Sequence, residues 1–268
     1  MKDYEIDCEK KIEINTIKNK FLKNGFLHLK NILNNEEISL IKTKVIDEFN
    51  KLDKNDKLSL EDQKSLNRCE MPVVNPISPR IDIKSYTAHT NSKLPQILEA
   101  IFEEDFLWHF PPQMRRLSVK KDIGLLPYHQ DCYYNNLYEN IIVCWTPLSN
   151  CGLTSPSLEL VRSSFKERFE HTSNEIWEFG IPSETLKQIT NNNEVVSLQD
   201  VKIRDVVIFD AFNLHRTFWK ENMNEIRYSM DLRAVKKSLI PKQTLEFRKF
   251  VYKDKDKFQG KINEKQNI

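Results

Sequence analysis

No apolar run in this 268-residue chain approaches the ~18 residues needed to cross a bilayer, so no membrane helix is expected. The opening Met1-Lys2-Asp3-Tyr4-Glu5 lacks the apolar core of a signal peptide. Neither sign of charge dominates: 41 basic and 39 acidic side chains leave a net charge of +2, which gives no electrostatic footprint for nucleic acid. The five cysteines (Cys8, Cys69, Cys132, Cys144 and Cys151) are an odd set without a C-x-x-C pair. That argues against both a disulfide framework and a zinc cage, and a reduced cytoplasm fits best. Glycine is scarce at 5 residues, whereas Lys, Asn and Ile abound, a pattern of coding bias rather than function. There is no internal repeat and no low-complexity block.

What is present is an ordinary globular composition, 39% hydrophobic and 30% charged. A short helix is expected over 12–22, then a brief strand Gly25-Phe26-Leu27-His28-Leu29. Asn34 or Asn35 can cap a following helix with Glu36 and Glu37 in its first turn. Its Ile38, Ile41, Val45, Ile46 and Phe49 recur at helical spacing and form one apolar stripe. The polar stretch 51–67 reads as a solvated loop, and 94–102 as a second short helix. Beyond Phe110 the pattern changes to short β-compatible runs at 116–119, 141–145, 206–212 and 227–235. Polar, turn-rich stretches separate them, as in an antiparallel sandwich or barrel.

His129-Gln130-Asp131, with His215 far downstream, carries the most chemistry. Two imidazoles and one carboxylate can hold non-haem Fe(II) on one face of its octahedron and leave the other open. Residues i and i+2 share a side of an extended chain and diverge on a helix, so the triplet is expected to be extended. Pro127 and the neighbouring tyrosines Tyr128, Tyr133 and Tyr134 favour that. Bringing a distant third ligand to the first two suits a jelly roll, whose two sheets enclose a pocket at one open end.

Arg204-Asp205-Val206-Val207-Ile208-Phe209-Asp210-Ala211-Phe212-Asn213-Leu214-His215-Arg216-Thr217 closely resembles the distal-histidine region of the phytanoyl-CoA dioxygenase (PhyH)-like family. Members of this family are Fe(II)- and 2-oxoglutarate-dependent oxygenases. His129 to Asn135, Trp145 to Gly152 and Ser155 to Val161 are similar to the same family, and the resemblance runs from about residue 20 to 235. Arg204 departs from it, standing where the family usually has a turn glycine.

The resemblance implies a mainly β fold. It consists of a double-stranded β-helix (jelly roll, cupin-like) core over about 110–240, with a helical N-terminal part over about 12–105 packed on it. Residues 1–252 are read as one domain and 253–268 as a polar, frayed tail. It further implies Fe(II) held by His129, Asp131 and His215, with 2-oxoglutarate and O2 as cosubstrates and a small-molecule substrate. Arg227, twelve residues after His215, matches the arginine whose planar fork grips the far carboxylate of 2-oxoglutarate. Thr217 and Ser229 are expected to assist, and Gln113 is a further cosubstrate candidate. Trp145, Tyr133, Asn135 and Trp108 are candidates for the substrate pocket, together with Arg115 and Arg162. Related halogenases carry a small residue at the Asp131 position, so hydroxylation, desaturation or epoxidation is the implied outcome.

Plainer readings stand beside these. Arg227, Ser229, Asp231 and Arg233 alternate along one strand face and could form an exposed charge ladder, with Asp231 and Arg233 partnering each other. Trp145 could be core, and the ligand trio a structural polar cluster. His28, His89, His109 and His171 have no ligand-like company. At the level of function, the rivals are a metal-dependent cupin-type enzyme without 2-oxoglutarate and a non-catalytic binding member of the family.

Overall fold

Asn34 starts the longest helix by chemistry expected of its side chain: its Oδ1 accepts the N–H groups of Glu36 (2.9 Å) and Glu37 (3.2 Å). Two of the helix's otherwise unsatisfied donors are thereby paired. A computed structural model describes residues 2–11, 13–54, 86–119, 125–133, 141–163, 165–171, 180–240, 249–252 and 258–259. The helices among them are α1 (Ile14–Asn24), α2 (Asn35–Asp53), α3 (Thr87–Thr90), α4 (Leu94–Phe102) and α5 (Ser183–Asn192). α2 continues to Asp53, into the stretch expected to be loop; the rest of that stretch, from residue 55, lies outside the described residues. No helix among them is long and apolar enough to cross a membrane.

The strands among the described residues are β1 (Glu5–Asp7), β2 (Phe26–Lys30), β3 (Phe106–Leu117), β4 (Ile141–Pro147), β5 (Ser157–Arg162), β6 (Glu194–Ser197), β7 (Val206–Asp210), β8 (His215–Phe218), β9 (Arg227–Lys236), β10 (Lys249–Tyr252) and β11 (Phe258–Gln259). They form an eight-stranded sheet, β1-β2-β7-β4-β9-β3-β10-β11, and a three-stranded sheet, β6-β5-β8. Among the described residues, β1–β2 pair in parallel and the other strand pairs are antiparallel. The continuous apolar run Val206-Val207-Ile208-Phe209 sits between β2 and β4, all four residues buried, as expected of a strand covered on both faces. β3 begins ten residues before the run expected at 116, and a register shift between His109 and Gln113 divides it. Phe258–Gln259, within the segment expected to fray, pairs with β10.

α1 ends where Gly25 takes φ +74°. A Cβ there would come 2.0 Å from Ser163 O, so this position needs glycine for two reasons. Arg204 needs none: among the described residues the non-glycine positive φ angles belong to Asn31 and Glu103. Its guanidinium instead ties the turn down, donating to Leu33 O at 3.0 Å and Glu9 Oε1 at 3.1 Å.

The helices before β3 cover one face of the large sheet, whereas α5 packs beside β6 of the small one. Phe49 of α2 meets Tyr228 of β9 with ring centroids 5.8 Å apart. The opposite face of β9, carrying Arg227, Ser229, Asp231 and Arg233, turns toward the small sheet. All four are buried (2%, 0%, 4% and 6% exposed), so they are not an exposed ladder. The jelly-roll crossing that matters is 211–214, which leaves β7 in the large sheet and enters β8 in the small one at His215.

Candidate metal and cosubstrate site

His129 and Asp131 do not lie on a regular strand. His129 forms an isolated bridge with His215, and Asp131 opens a 3-10 turn, Asp131–Tyr133. The turn is pinned by Cys132 N–H donating to Ala211 O at 2.9 Å. Even so, the ligand atoms of His129, Asp131 and His215 all lie within 4.8 Å of one another, and each residue is buried.

The histidine tautomers follow from their hydrogen bonds. His129 Nδ1–H donates to Pro127 O at 2.8 Å and His215 Nδ1–H to Asn213 O at 3.0 Å. Each neutral ring therefore offers its Nε2 lone pair to the shared space, the orientation a metal needs. Burial, reinforced by the neighbouring His215, pushes the His129 pKa down to about 3, and burial also lowers that of His215. Burial alone would raise the Asp131 pKa. The Arg233 guanidinium (Nη2 to Oδ2, 3.8 Å), together with His215 and His129, outweighs it and holds the carboxyl below its ordinary value. Two neutral imidazoles and one carboxylate fit a divalent transition metal.

The trio lines a cavity between the two sheets with about 380 Å³ of empty space, part of it open to solvent. That lies near the low end of the roughly 300–1,000 Å³ typical of small-molecule sites. Val143, Trp145, Phe209, Asp231, Arg115 and Arg227 come from the large sheet, and Leu158, Arg216 and Thr217 from the small one. Arg227 is 2% exposed, donates from Nη1 to Ser157 O at 3.0 Å, and lies 5.4 Å from the Trp145 ring centre. Trp145 Nε1, Ser157 Oγ and Ser229 Oγ are buried and have no hydrogen-bond partner among the described residues. Each such group costs about 1–3 kcal/mol unless something pairs with it. Of the three, Trp145 shares the cavity wall with Arg227, where an anionic ligand would pair with its N–H, whereas Ser157 and Ser229 are not in that wall.

Thr217 lines the cavity, and its Oγ1 accepts the Leu126 N–H at 3.0 Å. Gln113 is not in the cavity wall. Its Oε1 accepts from Arg115 Nη2 (2.9 Å) and Arg233 Nη2 (2.6 Å). Asp231 and Arg233 are not each other's partners: Asp231 pairs with Arg115, and Arg233 faces Gln113 and Asp131. Successive same-face residues of one strand reach more easily to neighbouring strands than along their own.

Trp108 is displaced from its expected role. It stands opposite Ala234, on the face of β9 away from the cavity, and packs edge-on against Phe106 at 4.9 Å. Arg162 ends β5, the central strand of the small sheet, and is bonded to Asp3, Asn24 and Glu194. Asn135 and Tyr134 lie outside the described residues, as does the Tyr133 side chain.

Residues the sequence reading assigned no site role also converge here. Asp231 reaches the cavity wall, a placement implied by its sharing strand parity with Arg227. Gln130 and His171, behind the ligand turn, had no recognisable signal.

No protein-family model matches the chain, and no curated protein matches it in sequence. Solved structures do match. SnoN, a non-heme alpha ketoglutarate dependent epimerase from nogalamycin biosynthesis, aligns with TM-score 0.58 at 11% identity, covering 90% of this chain and 86% of its own. EctD from S. alaskensis, crystallised with 2-oxoglutarate and 5-hydroxyectoine, gives 0.61 at 14%, covering 85% and 77%. The carbocyclase SnoK, also from nogalamycin biosynthesis, gives 0.59 at 13%, covering 86% of each chain. At these identities the likeness is one of fold: the chain has the mainly β, helix-flanked jelly roll found in non-heme alpha ketoglutarate dependent enzymes.

Proposed function

We propose that this protein is an Fe(II)- and 2-oxoglutarate-dependent oxygenase of the PhyH-like kind, acting in the cytoplasm on a small molecule. The observation that carries this reading is a single cavity that unites the His129–Asp131–His215 trio with the buried Arg227 guanidinium. The structural neighbours support it, since SnoN and EctD have been crystallised with alpha ketoglutarate (2-oxoglutarate).

In this reading His129 Nε2, His215 Nε2 and one Asp131 oxygen hold the iron. Arg227 would pair with the far carboxylate of 2-oxoglutarate, assisted by Thr217 and the Trp145 N–H, which share its cavity wall. Iron, 2-oxoglutarate and O2 together supply the oxidising power, releasing succinate and CO2. The chain's own work is to fix the ligand tautomers, keep Asp131 ionised and orient the substrate C–H bond. It also keeps bulk water from the apolar wall of Val143, Leu158 and Phe209. A carboxylate at position 131, where related halogenases carry a small residue, would favour hydroxylation, desaturation or epoxidation.

Uncoupled turnover tests the reading: purified protein with Fe(II), ascorbate and 2-oxoglutarate is expected to form succinate, and Asp131→Ala to form none. A chain that binds neither Fe(II) nor 2-oxoglutarate would reject it. Metal-dependent activity untouched by Arg227→Ala would favour a cupin-type enzyme.

A further inference from the structure

Between the two ligands on the turn lies Gln130, fully buried. Its Nε2 donates to Phe212 O at 2.7 Å and Glu167 O at 3.1 Å, and its Oε1 accepts the Phe169 N–H at 2.7 Å. Its backbone N–H donates to His171 Nε2 at 3.0 Å, while His171 Nδ1–H donates to Phe169 O at 2.8 Å. Three segments are closed together by these bonds: the ligand turn, residues 165–171, and the 211–214 crossover that delivers His215. Phe165 and Phe169 anchor the second segment, meeting edge-on at 5.2 Å in a small apolar cluster with Tyr128 and Leu214.

We propose that His171 is a positioning residue of the metal site, acting through the Gln130 N–H on the turn that carries His129 and Asp131. This rests on the metal reading above. The direction of the Asp131 side chain relative to His129 is set by the backbone at the residue between them. His171 is 6% exposed, so the Gln130 amide it receives is shielded from water. Without that acceptor the N–H would be buried and unsatisfied, and the turn would rotate to pair it elsewhere. Asp131 would be carried out of register with the two imidazoles.

Co(II) titration of the apo protein, followed by its visible d–d bands, tests this. His171→Leu keeps the bulk and removes the acceptor, whereas His171→Gln offers an oxygen in its place. His171→Leu is expected to weaken Co(II) binding by about 10–100-fold, the usual cost of losing an outer partner, and to shift the bands. His171→Gln is expected to keep both near those of the parent. ¹⁵N NMR of the unsubstituted apo chain is expected to find His171 as the Nδ1–H tautomer. A folded His171→Leu with parental affinity and bands overturns the proposal, as does an Nε2–H tautomer. If His171→Leu does not fold, the tautomer and His171→Gln decide: shifted Co(II) bands in His171→Gln count against the proposal and parental ones for it. A parent chain that binds no Co(II) rejects the metal reading itself, and the tautomer still judges the hydrogen bond.

Discussion

His129 and His215 exchange both of their backbone hydrogen bonds, His129 N–H to His215 O at 3.0 Å and His215 N–H to His129 O at 3.1 Å. Two residues remote in sequence thus become direct neighbours, with ring centroids 4.3 Å apart. Backbone pairing fixes their spacing, so little conformational entropy would be lost on binding a metal under the proposed function.

Because the histidine pair is held by backbone, Asp131→Ala should spare the fold and cost metal. Affinity for Fe(II) or Mn(II) is expected to fall by more than the roughly 10–100-fold typical of outer partners. Anaerobic calorimetry of parent and variant checks this.

Arg227→Ala removes the fork expected to grip the 2-oxoglutarate carboxylate. Charge-assisted hydrogen bonds of about 1.5–3 kcal/mol correspond to a rise of roughly 10–150-fold in the KM for 2-oxoglutarate. Arg227→Lys should recover only part of it, since an ammonium keeps the charge and loses the planar pair. Uncoupled turnover at varied 2-oxoglutarate measures both.

Trp145→Phe is the converse case. Its Nε1 has no partner among the described residues, so removing it should leave the melting temperature of the ligand-free protein unchanged or slightly higher, while the KM for 2-oxoglutarate rises. Thermal unfolding with and without 2-oxoglutarate separates the two effects.

The pH dependence of the apo fold follows from buried histidines. Burial lowers His89 and His129 to about 3 each and depresses His215. Between about pH 3 and 6.5 the unfolded chain holds protons that the folded chain refuses. This stabilising contribution is therefore full above pH 6.5 and shrinks as pH falls toward 3. Urea midpoints of the metal-free protein should drop through that window, and His89→Gln should make the slope shallower. A midpoint that rises on acidification would contradict it.

That His129, Asp131 and His215 belong together is legible in the sequence because an H-x-D triplet and a distal histidine carry their chemistry in side-chain type, and the fold does bring the three together. Their local conformation was not. The triplet was expected to be extended, yet Asp131 opens a 3-10 turn, because the Cys132 N–H finds Ala211 O in a crossover no local pattern reveals. β9 shows the same division. Its alternation is plain in the sequence, but only the second sheet makes Arg227 and Asp231 face a cavity rather than water. Trp108 follows simple alternation: parity along β3 survives the irregularity, His109 facing Arg233 and Gln113 facing Asp231, so Trp108 falls on the face opposite Arg115. Helices α2 and α4 were easier, since a capping asparagine and an apolar stripe are local signals.

The most direct measurement is anaerobic visible spectroscopy of the Fe(II)-loaded protein during addition of 2-oxoglutarate. Chelation of the iron by the keto acid predicts a saturable charge-transfer band that is absent in His215→Ala and shifted to higher 2-oxoglutarate in Arg227→Ala. A parent protein that shows no band, or a His215→Ala variant that shows the parental one, would contradict the account.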